Sequence, residues 1–297
     1  MRIPLSVARG LVFLMSRPLG PPLPPRLQRL WFEAVSTGGF LPKGTAVTRV
    51  QLGRRPAERV AAAGADGSRA VLLLHGGAFV IGSPRTHRVL AAHLSAAAQA
   101  PVYVLHYRRA PEHAFPAAVD DARAAYDELA TQWPTAVFGD SAGGCLALLL
   151  ALRLRDDGTP PPALALVSPV TDLTLGRSEA YPRVDAVVRR DWLRSGSRAF
   201  LGRADAAGVS PLSASLAGLP PVRIQVAARE RLRAEGEELA VRLRTAGVDA
   251  DIEVLPRLWH DVHLLAHLVP EGADAVGRLG RWLGARLTGA TDDDLAS

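Results

Sequence analysis

Residues 135–152 read TAVFGDSAGGCLALLLAL: a short apolar segment, a turn of small residues and a longer apolar segment. The first segment is typical of a buried strand, and the last is typical of a buried helix. A Gly-x-Ser-x-Gly sequence between a strand and a helix predicts a tight turn that exposes the serine hydroxyl, here that of Ser141. The N-terminus of the helix points at this hydroxyl and stabilises negative charge that develops there. Ser141 is therefore a candidate nucleophile. The alternative is that this pentapeptide is a glycine-rich turn with an ordinary surface serine.

A glycine-rich loop earlier in the chain supplies candidate partners for this serine. Residues 75–79 read HGGAF and directly follow the strand-like run AVLLL at 70–74. Attack by a serine on a carbonyl group creates an oxyanion that needs backbone N–H donors, and glycine lets the backbone approach closely. We therefore expect the N–H groups of Gly77, Ala78 and Ala142 to form an oxyanion hole.

The second half of the chain supplies a base and an acid. His260 follows the strand candidate at 251–255, and Glu230 ends an earlier strand candidate, IQVAARE. The order serine, acid, histidine is that of the α/β-hydrolase triad and differs from the chymotrypsin and subtilisin orders. Asp261 and Asp251 are competing candidates for the acid.

At these residues the chain resembles the hormone-sensitive-lipase family of α/β-hydrolases, the bacterial family IV esterases, from about residue 47 to residue 287. Further segments match the family in the same order along the chain. They are GSPRTHR at 82–88, YRRAPEH at 107–113, FPAA at 115–118, SP at 168–169, DL at 172–173 and GLPP at 218–221. The resemblance implies an α/β-hydrolase fold with a helical cap and a serine esterase activity that needs no metal or organic cofactor.

The chain departs from the family pattern at the oxyanion loop and at the acid. The loop usually reads His-Gly-Gly-Gly, whereas Ala78 stands at its last position, where its N–H is usable if its φ is negative. The acid usually lies in an Asp-Pro-Leu-type segment, whereas the matching segment reads ERL at 230–232. Ala234 also replaces a downstream aspartate of the family. These departures leave the assignment of the acid open.

Strand-like and helix-like segments alternate along most of the chain, which predicts an α/β fold with helices on both faces of the sheet. We expect an eight-stranded, mainly parallel sheet that opens with an antiparallel pair. The strand candidates cover residues 45–52, 56–62, 70–75, 102–107, 136–139, 163–168, 222–227 and 249–255. The helix candidates cover residues 86–98, 117–132, 142–155, 234–245 and 273–287. Active residues lie at the carboxyl ends of strands in such folds, which is where Ser141, Glu230 and His260 fall.

Two segments, residues 1–42 and 173–210, fall outside this alternation. Similar segments form a cap over the active site in the resembled family, so we expect a cap here. The catalytic domain would then comprise residues 43–172 and 211–288, followed by a disordered tail at 289–297. Six aromatic residues are candidate walls of the substrate pocket, with ordinary packing between cap and core as the alternative for each. They are Trp31, Phe32, Phe40, Phe79, Trp192 and Phe200.

Composition limits the other classes of function. The 297-residue chain has one cysteine and no Cys/His cluster with metal-ligand spacing, so we expect neither a disulfide framework nor a metal site. The chain has no run of apolar residues long enough to predict a transmembrane helix. Arg9 interrupts the N-terminal apolar stretch, which favours an amphipathic helix over a signal peptide. We therefore expect a cytoplasmic protein, either a monomer or a homodimer.

The charge pattern gives little support to a nucleic-acid partner. The net charge of +6 comes almost entirely from scattered arginines, without the motif of a nucleic-acid module. Residues 1–42 carry five arginines against one glutamate, which is compatible with a weak contact to an anionic membrane surface and predicts no stable insertion.

Together these features predict a carboxylesterase that hydrolyses small-molecule esters with short-to-medium acyl chains through an acyl-serine intermediate. A lactone hydrolase, a secondary-metabolite deacetylase and a transacylase would use the same residues and stay open as alternatives. A ligand-binding protein on the same fold is a third class, which the presence of both the serine and the histidine disfavours.

Overall fold

The computed structural model describes residues 3–179 and 185–289, and an eight-stranded sheet forms its centre. The strands are β1 Ala46–Leu52, β2 Arg55–Ala61, β3 Ala70–Leu74, β4 Val102–Leu105, β5 Thr135–Asp140, β6 Leu164–Val167, β7 Val222–Ala227 and β8 Ala250–Leu255. Their order across the sheet is β1-β2-β4-β3-β5-β6-β7-β8. The β1–β2 and β2–β4 pairs are antiparallel, and the other pairs are parallel. The predicted sheet, including its antiparallel opening pair, is therefore confirmed.

Helices connect most of the strands. In chain order they are α1 Leu5–Ser16, α2 Pro25–Ser36, α3 Pro84–Ala98, α4 Ala117–Ala130, α5 Ala142–Asp156, α6 Gly176–Glu179, α7 Arg190–Leu201, α8 Ala206–Val209, α9 Arg233–Thr245 and α10 Pro270–Leu287. Short 3-10 helices cover Pro211–Ser213 and Val262–Leu265.

The central strands are apolar on both sides because helices cover both faces of the sheet. In β3, Val71 and Leu73 belong to the core formed with α3 and α10. Leu72 and Leu74 belong to the core on the other face, formed with α4, α5 and α9. All four side chains are fully buried, which explains why β3 reads as a continuous apolar run rather than an alternating one.

The carboxyl ends of the parallel strands meet at one edge of the sheet. There β3 leads into the HGGAF loop, β5 leads into Ser141, and β7 and β8 lead towards Glu230 and His260. Residues that are more than a hundred positions apart in the sequence, such as Ser141 and His260, are therefore neighbours in the fold.

The N-terminal segment, residues 3–42, packs against residues 185–210 at this edge. Ser16 Oγ, at the end of α1, donates a hydrogen bond of 2.8 Å to the Ala186 carbonyl. Both segments contribute side chains to the cavity at Ser141.

Part of the predicted organisation falls outside the described residues. Of the predicted tail, residues 290–297 lie outside them, as do residues 180–184 of the segment 173–210. Within residues 3–179 and 185–289, no helix combines the length and the apolar character needed to cross a bilayer.

Candidate active site

Ser141 lies in a sharp turn between β5 and α5. Its φ of 53° and ψ of −118° are unusual for a residue with a side chain, and such a backbone costs about 1–3 kcal/mol. The turn forms because the flanking glycines have no side chains. A Cβ at Gly139 would clash with the Gly143 carbonyl, and a Cβ at Gly143 would clash with the Leu74 carbonyl. The small residues of the pentapeptide are therefore a steric requirement of the turn that presents Ser141.

Hydrogen bonds join Ser141, His260 and Glu230 in a chain. His260 Nε2 lies 2.9 Å from Ser141 Oγ, and His260 Nδ1 lies 2.9 Å from Glu230 Oε2. Glu230 is fully buried, and its Oε1 accepts a hydrogen bond of 2.9 Å from the Ala227 N–H at the end of β7. The carboxylate is thus fixed at one edge of the imidazole, and the serine hydroxyl lies at the other. Activation of a hydroxyl by a histidine base requires this arrangement.

The two competing acids lie in other positions. Asp251 is exposed on β8 and pairs with Arg244 at 3.1 Å. Asp261 does contact His260, but its Oδ2 lies 3.0 Å from Nε2, the nitrogen that faces Ser141. Of the three carboxylates that the sequence left open, Glu230 is the one that the structure brings to Nδ1.

Two carboxylates change the acidity of His260. Burial by itself disfavours the imidazolium, but the negative charges of Asp261 and Glu230 outweigh burial and raise the pKa of His260 well above its ordinary value. Burial raises the pKa of Asp261 to about 6, against the opposing effect of the His260 charge. A protonated His260 cannot accept a proton from Ser141, so the site gains a base as the pH rises through the raised pKa of His260.

The HGGAF loop adopts a left-handed backbone beside Ser141. The φ angles are 118° at Gly77, 51° at Ala78 and 65° at Phe79. Ala78 therefore does not have the negative φ that was the sequence-based condition for use of its N–H, yet that N–H stays without a hydrogen bond among the described residues. The positive φ results from a tight turn in which the Val80 and Ile81 N–H groups donate hydrogen bonds of 3.0 Å and 2.9 Å to the Gly77 carbonyl. This turn takes the intervening residues through the left-handed region whether or not they are glycine.

The predicted oxyanion donors are not used elsewhere in the fold. Among residues 3–179 and 185–289, the N–H groups of Gly77, Ala78 and Ala142 donate no hydrogen bond. A backbone N–H that is left unsatisfied near a reactive hydroxyl is a ready donor for an oxyanion.

Asp140, His87 and Tyr107 hold this loop in place, a role that the sequence did not assign to His87 and Tyr107. Asp140 Oδ2 accepts a hydrogen bond of 3.0 Å from the Gly76 N–H, and an ion-pair contact of 3.1 Å joins it to His87 Nε2. Tyr107 donates a hydrogen bond of 2.6 Å to the His75 carbonyl, and the two rings stack. The available signal was their position inside the motif segments GSPRTHR and YRRAPEH and next to the candidate nucleophile.

A cavity of about 330 Å³ opens at Ser141. Much of its wall is apolar and comes from the N-terminal segment, α7 and the chain after His260. These apolar residues include Ile3, Leu11, Val12, Met15, Leu19, Phe32, Val35, Trp192, Leu265 and Leu268. Polar side chains also line the cavity, and besides Ser141 and His260 they are Ser16, Ser36, Thr86, His87, Asp140, Asp261 and His267. Two of the six aromatic residues predicted to line the pocket, Phe32 and Trp192, do so.

The other four predicted aromatic residues do not line this cavity. Phe79 and Phe200 are buried and stack with ring centroids 4.1 Å apart, so they pack the HGGAF loop against α7. Trp31 and Phe40 are exposed, by 39% and 77%. The sequence identifies these side chains as apolar, but the direction in which each one points depends on how the helices pack.

Most of the chain is similar to known proteins. A sequence model of the α/β hydrolase fold family matches residues 71–264. An acetyl-hydrolase of Streptomyces hygroscopicus is 39% identical over 252 residues, which cover 82% of this chain and 83% of that protein. The esterase LipU of Mycobacterium tuberculosis is 35% identical over 263 residues, which cover 82% of this chain and 89% of that protein.

Solved structures give the same result. The crystal structure of an esterase from the bacterial hormone-sensitive lipase family matches with a TM-score of 0.90 and 34% identity, covering 97% of this chain and 100% of that one. A mutant of the esterase E40 matches with a TM-score of 0.91 and 35% identity, covering 95% of this chain and 98% of that one. The strand order, the turn at Ser141 and these similarities agree, and the chain belongs to the hormone-sensitive-lipase family of α/β-hydrolases.

Proposed function

We propose that this chain is a serine carboxylesterase in which Ser141 is the nucleophile, His260 is the general base and Glu230 is the acid that orients it. One observation carries the proposal: both imidazole nitrogens are engaged at 2.9 Å, one by Ser141 Oγ and the other by Glu230. Relatives named esterase and acetyl-hydrolase support the same class of reaction. Glu230 would keep the ring proton on Nδ1 and stabilise the imidazolium that forms during the reaction.

The reaction proceeds in two halves. His260 accepts the Ser141 proton as Oγ attacks the ester carbonyl carbon, and the N–H groups of Gly77, Ala78 and Ala142 bind the oxyanion. Loss of one such donor typically costs about 3 kcal/mol of transition-state stabilisation. His260 then protonates the alcohol oxygen as the C–O bond breaks, which leaves an acyl group on Ser141. The same imidazole then deprotonates a water molecule that attacks the acyl carbon, and it returns the proton to Ser141 Oγ as the Oγ–acyl bond breaks and the acid is released.

We infer that the acyl chains are short to medium in length. The cavity of about 330 Å³ is near the lower end of the size range of small-molecule pockets, which is about 300–1,000 Å³. A series of p-nitrophenyl esters from acetate to palmitate tests this, and kcat/KM is expected to peak at a short or medium chain. A continuous rise towards palmitate would contradict the expected chain length. If the folded protein hydrolyses no ester of the series, the esterase proposal itself is wrong.

The alternative activities that would use the same catalytic residues differ in their reaction products. The name of the Streptomyces relative favours acetyl transfer to water as the first alternative to test. Acetylated alcohols, simple lactones and an added acceptor alcohol, each compared with p-nitrophenyl acetate, distinguish a deacetylase, a lactone hydrolase and a transacylase by their products.

Asp261→Asn is expected to move the acidic limb of the pH profile of kcat/KM towards lower pH. The substitution removes the carboxylate nearest to Nε2, so the imidazolium of His260 loses a stabilising charge and the base becomes available at lower pH. Profiles with p-nitrophenyl butyrate from about pH 5 to about pH 9 measure the shift, with the exposed Asp251→Asn as control. An acidic limb that stays in place or moves upward would refute this assignment.

Gly196→Ala is expected to lower kcat about ten- to a hundredfold with a smaller change in KM. A Cβ at Gly196 in α7 would clash with the Ala78 carbonyl and lie 2.8 Å from the Ala78 Cβ, so the loop that carries the oxyanion donors has to shift. A misplacement of about 1 Å can cost up to about a hundredfold in rate. Ser195→Ala, which is exposed on the same helix, should behave like the wild type. Wild-type kcat in the Gly196→Ala enzyme would show that the loop does not depend on α7.

We also propose that residues 1–42 and 173–210 form a cap over a catalytic domain of residues 43–172 and 211–288. The support is that Phe32, in the first segment, and Trp192, in the second, both line the cavity at Ser141.

A weak contact with an anionic membrane surface through the N-terminal segment is part of the same proposal. Leu14 on α1 and Leu30 on α2 are 65% and 67% exposed, in the segment that carries five arginines against one glutamate. Exposed apolar side chains together with basic ones favour binding in the plane of a membrane interface. The cytoplasmic location and the choice between monomer and homodimer stay predictions.

A further inference from the structure

We infer that Asp261 forms a subsite for the alcohol part of the ester and selects alcohols that carry an ammonium group or another strong hydrogen-bond donor close to the ester oxygen. This inference rests on the proposed ester hydrolysis at Ser141 and specifies the substrate class of that site. Asp261 is a carboxylate in the site to which the proposed reaction assigns no step.

The position of Asp261 identifies the part of the substrate that it would meet. His260 must deliver its proton from Nε2 to the alcohol oxygen, so that oxygen has to approach Nε2. Asp261 Oδ2 lies 3.0 Å from the same nitrogen, whereas Glu230 occupies the opposite edge of the ring. The carbonyl oxygen of the ester is directed instead to the N–H groups beside Ser141. Asp261 therefore lies next to the departing alcohol.

The Asp261 carboxylate has unused capacity to accept hydrogen bonds. Its side chain is only 10% exposed and lines the cavity at Ser141. Within residues 3–179 and 185–289, its Oδ1 is buried and has no hydrogen-bond partner. Its Oδ2 lies 3.0 Å from His260 Nε2, but with the ring proton on Nδ1 that nitrogen accepts the Ser141 hydroxyl hydrogen and donates none to Asp261. A buried carboxylate with unfilled acceptor positions is unfavourable, so a substrate that supplies a donor gains binding free energy.

The charges around the cavity favour a cation over an anion. No lysine or arginine is among the described residues that line it, although the chain contains 35 of them. Asp140 also lines the cavity, where its Oδ2 is engaged by the Gly76 N–H at 3.0 Å and by His87 Nε2 at 3.1 Å. When His260 is protonated, its imidazolium offsets the charge of Asp261, and that balance ends when His260 is the neutral base. A substrate ammonium group would then occupy the electrostatic role that the imidazolium has vacated.

Two esters of nearly equal shape test the inference. The amine nitrogen of 2-(dimethylamino)ethyl butyrate is protonated at neutral pH, so this ester carries an ammonium N–H. The ester 3-methylbutyl butyrate has a neutral C–H group in the same position. Wild-type enzyme is expected to have a higher kcat/KM for the amino ester than for 3-methylbutyl butyrate. Asp261→Asn is expected to reduce the ratio of these two kcat/KM values by about ten- to a hundredfold, which is the usual contribution of a charge-assisted hydrogen bond. Comparing the ratio between enzymes cancels the different chemical reactivity of the two esters. Asp251→Asn, an exposed aspartate outside the cavity lining, should keep the wild-type ratio.

The outcomes separate the subsite from the proposed function. Hydrolysis of p-nitrophenyl butyrate, whose alcohol part carries no donor, reports esterase activity without using the subsite. If wild-type enzyme does not hydrolyse it, the esterase proposal fails. If it does and Asp261→Asn leaves the ratio unchanged, only the subsite is overturned. An equal loss for both esters also overturns the subsite, because Asp261 would then act on chemistry that both esters share.

Product inhibition of the wild-type enzyme provides a second test that needs no folded variant. The subsite requires 2-(dimethylamino)ethanol to inhibit more strongly than 3-methylbutan-1-ol at neutral pH. Equal inhibition by the two alcohols would overturn the inference.

Discussion

Ser141→Ala is expected to lower kcat/KM for p-nitrophenyl butyrate by about 10⁵-fold or more, leaving the small rate that the oxyanion donors and substrate binding support on their own. Without Oγ, no acyl-enzyme can form, and His260 has no hydroxyl to deprotonate at 2.9 Å. The fold should survive, because alanine keeps the backbone of the turn and removes an oxygen that lies at the surface of the cavity. Steady-state rates and circular dichroism of the purified variant measure both parts of this expectation.

Ser168→Ala is the matched control for this substitution. Ser168 is also buried, also has a positive φ, of 46°, and directly follows β6, the strand that neighbours β5. Its Oγ has no hydrogen-bond partner among residues 3–179 and 185–289, so its loss should leave activity close to that of the wild type. A p-nitrophenyl phosphonate ester should phosphonylate the wild-type enzyme and the Ser168 variant with release of p-nitrophenolate, which adds the mass of one phosphonyl group to each. Labelling of Ser141→Ala with the same stoichiometry would place the nucleophile elsewhere.

The fold was predictable because its causes are local in the sequence. A strand buried on both faces has to be apolar at consecutive positions, as β3 is in AVLLL. The helices that cover the sheet have to place apolar residues every three or four positions. The turn at Ser141 was predictable for the same kind of reason, since glycines at 139 and 143 are required by contacts within that turn and with the adjacent strand. His260 followed from its place after a strand.

The choice of the acid depends on tertiary geometry that sequence patterns do not contain. Glu230, Asp251 and Asp261 all lie on or near the last two strands. Asp251 belongs to β8 itself, where it pairs with Arg244 away from the site. Asp261 directly follows His260 in the sequence and has a left-handed backbone, with φ of 52° and ψ of 36°. Its carboxylate lies beside Nε2 of His260 and not beside Nδ1. For the same reason the sequence did not predict the positive φ of Ala78. That φ results from a turn closed by hydrogen bonds from the Val80 and Ile81 N–H groups to the Gly77 carbonyl.

Glu230→Gln is expected to lower kcat for p-nitrophenyl butyrate by about 10⁴-fold with little change in KM. Glutamine has nearly the same shape, but its amide group donates a hydrogen bond where the carboxylate accepts one. If that amide faces Nδ1, the ring proton moves to Nε2, and His260 can no longer accept the proton of Ser141. The imidazolium of the transition state also loses the negative charge that now lies 2.9 Å away. The predicted loss is therefore in the chemical step rather than in binding.

Three further variants make this prediction specific to Glu230. Asp251→Asn should leave kcat close to the wild-type value, because its carboxylate is exposed and paired with Arg244. Asp261→Asn should shift the pH profile and retain far more activity than Glu230→Gln, since it leaves the Nδ1 partner in place. Glu230→Asp should fall between the wild type and Glu230→Gln: it keeps the charge but is one methylene shorter, so it cannot reach Nδ1 and the Ala227 N–H as Glu230 does. A loss of about 10⁴-fold in Asp261→Asn together with an active Glu230→Gln would transfer the role of the acid to Asp261.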